Sequence, residues 1–206
     1  MTINLLPDDV LLEIFDHHLH EEPETQEWIM LAHVCRRWRS VVFQSPLRLN
    51  LQLLCTRRTR ARDTLDIWPP LPLIIRVFGR GRTGLDNINA ALEHNDRVCK
   101  IQLSWFTSPQ LEYVTYSAAM QKPFPELTDL LLSIYKDDES GPILPDSFLG
   151  GTAPRLRSLV LDNVPIPGLP KLLLSATSWY SPFRVHSTRG DGHHPLCVNL
   201  PRGPSS

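Results

Sequence analysis

The chain lacks the features that mark secreted, membrane-spanning and strongly charged proteins. Its four cysteines, scattered over 206 residues without CxxC spacing, do not form the disulfide framework of a small secreted domain or a zinc-ligand pattern. No stretch reaches the roughly 18 apolar residues of a membrane span. The first residues also lack the basic start and apolar run of a signal peptide. We therefore expect a soluble, intracellular protein with reduced thiols, in the cytoplasm or the nucleus.

The chain also has almost no excess of charge of either sign. A formal net charge of -1 gives no global field toward nucleic acid or an anionic membrane. The densest basic run, residues 56–62, has no interleaved aromatic residues, so we interpret it as a solvated loop. The sequence thus predicts neither a nucleic-acid partner nor a membrane partner. By contrast, 42% hydrophobic residues suffice for a core, and 19 prolines indicate repeated short turns.

Residues 5–54 are typical of a small helical unit. Pro7 suits the first turn of a helix, and Asp8 and Asp9 place negative charge at the positive end of the helix dipole. Apolar residues then recur at steps of three and four, which predicts a first helix of about a dozen residues. These positions are Val10, Leu11, Ile14, Phe15 and Leu19.

Two further helices are predicted in the same segment. The second spans residues 26–35 and is apolar on most of its sides. Other parts of the protein or a partner must therefore cover it. A short third helix ends at Ser45-Pro46, because a residue before proline is pushed out of the helical region. Three short helices form only a small core, and units of this size are commonly stabilised by contact with a partner. The excess of apolar residues therefore indicates a protein interface.

The stretches LPDDVLLEIF at residues 6–15 and LAHVCRRWRS at residues 31–40, followed by Ser45-Pro46, resemble an F-box, in particular that of fungal, basidiomycete-type F-box proteins. The resemblance implies docking on the Skp-type adaptor of cullin-RING (SCF-type) ubiquitin ligases. The alternative is a three-helix bundle that serves only as its own core, because docking and core helices show the same stripe. By position, the resemblance assigns adaptor binding to Leu6, Pro7, Val10, Leu11, Ile14, Phe15, Leu31, Val34, Cys35 and Trp38.

Beyond this unit, the alternating leucines from Leu47 to Leu53 predict a half-buried strand, and the apolar run from Leu73 to Phe78 predicts a second. The glycines from Gly79 to Gly84 have GxGxxG spacing before a helical pattern, the context of a dinucleotide-binding turn. The next predicted strand, however, ends in Ser104-Trp105 without an acidic residue for a ribose. A simple turn explains the glycines as well, and nucleotide binding is kept as an alternative function.

A repeat follows, in which one apolar pattern returns twice. Both steps are 29 residues long, within the range of leucine-rich repeats, and the three apolar positions of each unit would lie on or beside a short strand. We predict a short β/α solenoid whose returning arcs fall at residues 110–120 and 146–149. The alternative is chance spacing in an ordinary α/β domain. The three units are Val98, Ile101 and Leu103, then Leu127, Leu130 and Leu132, then Leu156, Leu159 and Leu161.

Residues 124–177 also resemble the repeat region that accompanies the F-box in mushroom-type fungi, which implies that the repeats capture the protein to be ubiquitinated. After residue 177 the pattern stops, and we predict an irregular or disordered tail. His193, His194 and Cys197 in that tail are too few for a zinc site. Outward positions proposed for target binding are Gln102, Ser104, Asp129, Ser133, Tyr135, Ser158 and Asp162.

The sequence thus predicts an α+β or α/β chain with an F-box at residues 1–46, a leucine-rich-repeat-like β/α solenoid at 47–177 and a tail at 178–206. The expected function is that of a substrate-recognition subunit of an SCF-type ligase, with an adaptor and an unidentified target protein as partners. We expect no catalytic residue, cofactor or metal. The alternatives are a non-ligase interaction scaffold and a nucleotide-binding protein acting through Gly79 to Gly84.

Overall fold

The computed structural model describes residues 6–20, 27–56, 58–79, 84–135, 143–164, 184–188 and 196–197. The chain divides into two compact units, Met1–Leu54 and Cys55–Ser206, whereas the sequence placed this boundary after residue 46. Residues 47–51 stay with the helices because backbone turns hold them there. The amide of Leu49 donates to the Ser45 carbonyl (3.1 Å), and the amide of Leu51 donates to that of Pro46 (2.9 Å).

The first unit contains the three expected helices, α1 (Asp8–His20), α2 (Glu27–Val34) and α3 (Arg36–Gln44). Asp8 and Asp9 occupy the first turn of α1, where their charges oppose the helix dipole. The Cys35 sulfur caps α3 by accepting a hydrogen bond from the Trp38 amide (3.5 Å). The last turn of α3 closes through the Ser45 amide and the Val42 carbonyl, directly before Pro46. The helical part of the prediction is confirmed, including the stop at proline.

Two aromatic pairs join the helices of the first unit. The rings of Phe15 and Trp38 lie 4.7 Å apart between centroids, and Trp28 meets Phe43 edge-on at 6.0 Å. The Trp28 indole nitrogen donates to the Gln52 carbonyl (3.0 Å), which satisfies the one polar atom that this buried ring brings inside. Large aromatic residues thus compensate for the short helices.

The strand predicted over Leu47 to Leu53 is wrong for most of its length. Leu47 is 93% exposed, Asn50 has a positive φ of 46°, and β1 comprises only Leu53–Cys55. Leu49, Leu51 and Leu53 are nevertheless buried. A tight turn can bury alternate residues as a strand does, so the period-two pattern did not determine the backbone conformation.

The second unit alternates strands with helices or turns. Its elements after β1 are α4 (Ala61–Ile67), β2 (Leu73–Phe78), α5 (Leu85–Leu92), β3 (Val98–Phe106), α6 (Ser108–Thr115), β4 (Asp129–Ile134), a short 3-10 helix (Phe148–Gly151), β5 (Ser158–Asp162), β6 (Arg184–Thr188) and β7 (Leu196–Cys197). From β2 to β7 each strand lies beside its predecessor in chain order. The first five of these are parallel, and β7 is antiparallel to β6.

The repeat spacing appears in the structure as strand register. Ile101 pairs with Leu130 and Leu130 with Leu159, and Leu103, Leu132 and Leu161 align in the same way. All six side chains are buried. Side-chain hydrogen bonds across the same step of 29 residues join neighbouring units, such as that from Thr128 Oγ1 to the Cys99 carbonyl (3.0 Å). Positions that the sequence made equivalent therefore lie side by side in one core layer.

The sheet continues into the segment predicted to be an irregular tail. β6 pairs in parallel with β5, and Val185 is the partner of Leu159, although the leucine pattern is broken there. Pairing of parallel strands uses backbone amides and carbonyls, so it does not require the leucines on which the prediction relied. Apart from β7, the rest of that segment, including His193 and His194, lies outside the described residues.

Candidate functional site

The residues predicted to bind an adaptor fall into two groups by exposure. Leu11, Phe15 and Leu31 are buried within the first unit, so they support its core and are not available at its surface. A helix with a wide apolar stripe contains both kinds of position, and spacing alone does not separate them. The seven that reach the surface wholly or partly are Leu6, Pro7, Val10, Ile14, Val34, Cys35 and Trp38.

Two exposed aliphatic pairs mark the surface of α1 and α2. Val10 and Ile14 lie one turn apart on α1, and Met30 and Val34 lie one turn apart on α2, where they are 72% and 58% exposed. Residues four apart on a helix share a face. Met30 was missing from the predicted set. The signal that could have identified it is that α2 is apolar on most of its sides. We call these four side chains the aliphatic face.

A polar clamp holds the beginning of α1 against α3. The Arg37 guanidinium donates from Nε and Nη2 to Asp8 Oδ1 (2.9 and 2.7 Å), and Nη2 also donates to the Leu6 carbonyl. A planar guanidinium that binds a side chain and a backbone group at once fixes their relative position. This clamp therefore positions Leu6 and Pro7, two residues of the predicted docking set.

The thiols of the described residues differ sharply in environment. Cys35 is exposed, whereas Cys55 is buried. Burial raises the pKa of the Cys55 thiol from 9.0 to about 11, although the positive charge of Arg97 acts to lower it. Burial likewise raises the pKa of Cys99. A protonated thiol is a poor nucleophile and metal ligand. Within the described ranges, no group of three or more His, Cys, Asp or Glu side chains is placed to hold a metal ion.

The outward positions of the sheet form cross-strand rows. Lys100, Asp129 and Ser158 are successive partners in one row. In the next row Gln102 lies beside Arg76 of β2, whose Nε donates to the glutamine Oε1 (2.7 Å). These side chains are half-buried and alternate with fully buried leucine and isoleucine positions. The sheet therefore has one apolar inner face and one face of mixed polarity.

Most predicted target-binding residues lie at such outward positions. Ser133 is an exception: it is buried, and its hydroxyl donates to Asp162 Oδ2 (3.0 Å). Its short side chain is satisfied within the protein, so its predicted contact role is replaced by a structural one. The half-buried members are Gln102, Ser104, Asp129, Ser158 and Asp162, and Tyr135 is exposed.

An exposed aromatic residue stands at the end of each of three successive strands. Phe78 is the last residue of β2, Trp105 lies near the end of β3, and Tyr135 follows β4. The Phe78 and Trp105 rings meet edge-on at 6.4 Å. Trp105 has a positive φ of 60° at a register shift between Leu103 and Phe106, where strand alternation fails. Phe78 and Trp105 were not among the predicted site residues, and this irregularity was not visible in the repeat pattern. We call these three residues the aromatic strip.

The two outer glycines of the GxGxxG stretch have structural roles. A Cβ at Gly79 would lie 2.4 Å from the Trp105 carbonyl oxygen and 2.5 Å from Phe106 Cα, and the Gly79 amide donates to Ser104 (2.8 Å). Gly84 has a φ of 99° directly before α5. A nucleotide cradle needs backbone amides free to bind phosphate, and that of Gly79 is already used. Residues 80–83 of the stretch lie outside the described ranges.

Comparison with known proteins identifies the first unit. Residues 3–52 match the F-box-like family model, so the chain contains an F-box-like domain in about a quarter of its 206 residues. F-box domains generally bind Skp-type adaptors of cullin-RING ubiquitin ligases. No curated protein and no solved structure matches the chain.

Among the helices of the described residues, none combines the length and the apolar character that crossing a bilayer requires.

Proposed function

We propose that this protein is a substrate-recognition subunit of an SCF-type ubiquitin ligase. Its F-box-like domain docks on the Skp-type adaptor, and its second unit, a leucine-rich-repeat-like solenoid, binds the protein to be ubiquitinated. In this role the chain positions a target, and no catalytic residue is assigned to it. It acts where such ligases act, in the cytoplasm or the nucleus. The resemblance to fungal F-box proteins stays a prediction.

The aliphatic face is the observation that supports adaptor docking most directly. Val10, Ile14, Met30 and Val34 are exposed on two helices of the domain that matches the F-box-like model. Several exposed aliphatic side chains on a small domain are a common mark of a protein interface. Docking would remove this surface from water and would leave the buried residues Leu11, Phe15 and Leu31 in the core that shapes it.

The solenoid interpretation is supported by topology and register. Five parallel strands follow one another in chain order, as they do when each repeat packs only against its neighbours. The outward rows with Gln102, Asp129 and Ser158, together with the aromatic strip, provide polar and aromatic groups for recognition. Tyrosine and tryptophan are enriched where proteins bind one another. We therefore assign target binding to this face of the sheet.

The docking proposal is tested by co-expressing the full chain with a Skp-type adaptor and separating the mixture by size-exclusion chromatography. We expect a stable one-to-one complex. The double substitution Val10→Ala and Ile14→Ala should weaken the complex about 30-fold or more, because truncated interface anchors typically lose about 2 kcal/mol or more. Both residues are exposed in the free chain, so the variant should keep its fold.

Ile67→Ala provides the matched control. Ile67 is also an exposed isoleucine, but it lies on α4 in the second unit, so its truncation should leave adaptor binding unchanged. A folded wild-type chain that ignores the adaptor would contradict the receptor function and favour a non-ligase scaffold. A double variant that binds as well as the wild type would remove the aliphatic face from the interface.

A further inference from the structure

A second recognition feature lies between α5 and α6, outside the strands that form the sheet. These two helices pack against each other and border an open cavity of about 600 Å³. Its lining comes from α5 and from one side of α6 with the residues that follow it. The residues are Asn89, Pro109, Glu112, Tyr113, Tyr116 and Ser117. We call this cavity the tyrosine groove.

Hydrogen bonds hold both tyrosines of the groove in place. The Tyr113 hydroxyl donates to Asp86 Oδ1 (3.3 Å), and the Tyr116 hydroxyl donates to the Ile143 carbonyl (3.0 Å). About half of each side chain remains exposed. Two aromatic rings that are fixed at their polar ends and open to solvent form a preorganised surface, and preorganisation lowers the entropic cost of binding.

The charge at the groove is negative. Glu112 is its one charged lining residue, and a second carboxylate, that of Asp86, is linked to the rim through Tyr113. The side-chain oxygen of Asn89 is buried, so it is not counted among the groups that a ligand in the groove can reach. The groove therefore combines aromatic surface with negative charge.

We propose that the tyrosine groove binds an arginine side chain from a segment of a partner protein. A guanidinium is a planar cation with five donors, so it can stack on a tyrosine ring while it donates to the Glu112 carboxylate. The lysine ammonium is more strongly hydrated and has no planar face. None of the lining residues belongs to the aliphatic face or the aromatic strip, so the site does not depend on the proposed ligase role.

The experiment is a ¹H–¹⁵N NMR titration of the full chain with three peptides, Gly-Ser-Arg-Ser-Gly and its lysine and citrulline counterparts. The arginine peptide should shift the Asn89 side-chain amide and the backbone amides around Glu112 and Tyr116, and it should bind more tightly than the other two. Glu112→Gln should weaken binding about tenfold, as loss of one close charge partner typically does. Tyr113→Leu should weaken it about fivefold through loss of the cation–π contact.

Glu126→Gln is the matched control. It removes the same charge from a residue that pairs with Arg155 and does not line the groove, so the arginine peptide should bind to it as to the wild type. An equal loss in both glutamate variants would overturn the site, since nonspecific attraction would then explain the binding. Citrulline or lysine peptides that bind as tightly as arginine would also overturn it. Because Glu112 is exposed, the test does not rest on whether Tyr113→Leu folds.

Discussion

The two units of this protein expose different kinds of hydrophobic side chain. Among the described residues of the first unit, the large exposed hydrophobic residues are all non-aromatic, namely Val10, Ile14, Met30, Val34 and Leu47. In the second unit five of seven are aromatic, and the full set is Ile67, Phe78, Trp105, Tyr113, Tyr116, Tyr135 and Ile143. Exposure of apolar surface thus has two distinct forms within one chain.

The difference has a physical meaning. Aliphatic side chains offer no polar atom, so burial against an apolar surface is their main route to lower free energy. Tyrosine and tryptophan combine a large apolar surface with a hydrogen-bonding group, so they tolerate water and can bind polar partners. The first unit is therefore suited to a fixed apolar interface, and the second to recognition that depends on polar contacts. Four measurements would break or sharpen this comparison.

The largest effect is expected in the buried layer of the sheet. Leu132→Ala removes a fully buried side chain and should lower the free energy of unfolding by about 2 to 5 kcal/mol. Leu131→Ala, one residue earlier and only partly buried, should cost about 1 kcal/mol or less. Urea denaturation followed by circular dichroism measures both, with hydrogen exchange to identify which unit unfolds. Equal losses at the two positions would refute the division of the strand into inner and outer faces.

Ile14→Ala extends the same measurement to the first unit. Because Ile14 is exposed on α1, its truncation should change the free energy of unfolding by about 0.5 kcal/mol or less. A loss as large as that of Leu132→Ala would place Ile14 in a core, and the contrast between the units would fail.

An intermediate effect is expected at Gly79. In Gly79→Ala the new methyl group would meet the backbone of Trp105 and Phe106, and overpacking of this kind typically costs about 1 to 3 kcal/mol. Thermal unfolding with and without millimolar NAD or ATP measures this cost and the nucleotide alternative together. We expect a lower melting temperature in the variant and no shift with nucleotide in either protein. A nucleotide that stabilises the wild type and not the variant would instead favour the dinucleotide-binding interpretation.

A further effect, confined to alkaline pH, is expected at Cys55. Because burial raises the pKa of its thiol from 9.0 to about 11, the folded chain keeps a proton that the unfolded chain loses between these values. The contribution of Cys55 to stability is therefore complete below pH 9 and is lost as the pH rises through about 11. Urea denaturation of the wild type and of Cys55→Ala across this range should show a steeper fall for the wild type. Parallel curves would show that the thiol is not desolvated in the fold.

The same contrast extends to thiol reactivity. Iodoacetamide should modify the exposed Cys35 of the first unit well before Cys55, since the thiolate is the reactive form. Adaptor binding should then slow the modification of Cys35 if the F-box-like domain docks as proposed.

Patterns of short range predicted several local elements, but not the turn at residues 47–51 or strand β6. Pro7 with its acidic neighbours located the start of α1, Ser45-Pro46 located the end of α3, and the apolar run from Leu73 to Phe78 is β2 over its whole length. The spacing of 29 residues matched the register of β3, β4 and β5. These features follow from backbone sterics, helix dipoles and side-chain periodicity, which act between residues close in sequence.

Only the tertiary structure decided which apolar residues are buried and which are exposed. Phe15 and Ile14 are neighbours on α1, yet Phe15 packs against Trp38 and Ile14 is exposed, because burial depends on a helix that comes later in the chain. Gly79 is required by the backbone of the next strand, and β6 forms through backbone pairing with β5 without the leucine pattern. The sequence determined the elements and their spacing, whereas contacts between distant residues determined which of their surfaces face a partner.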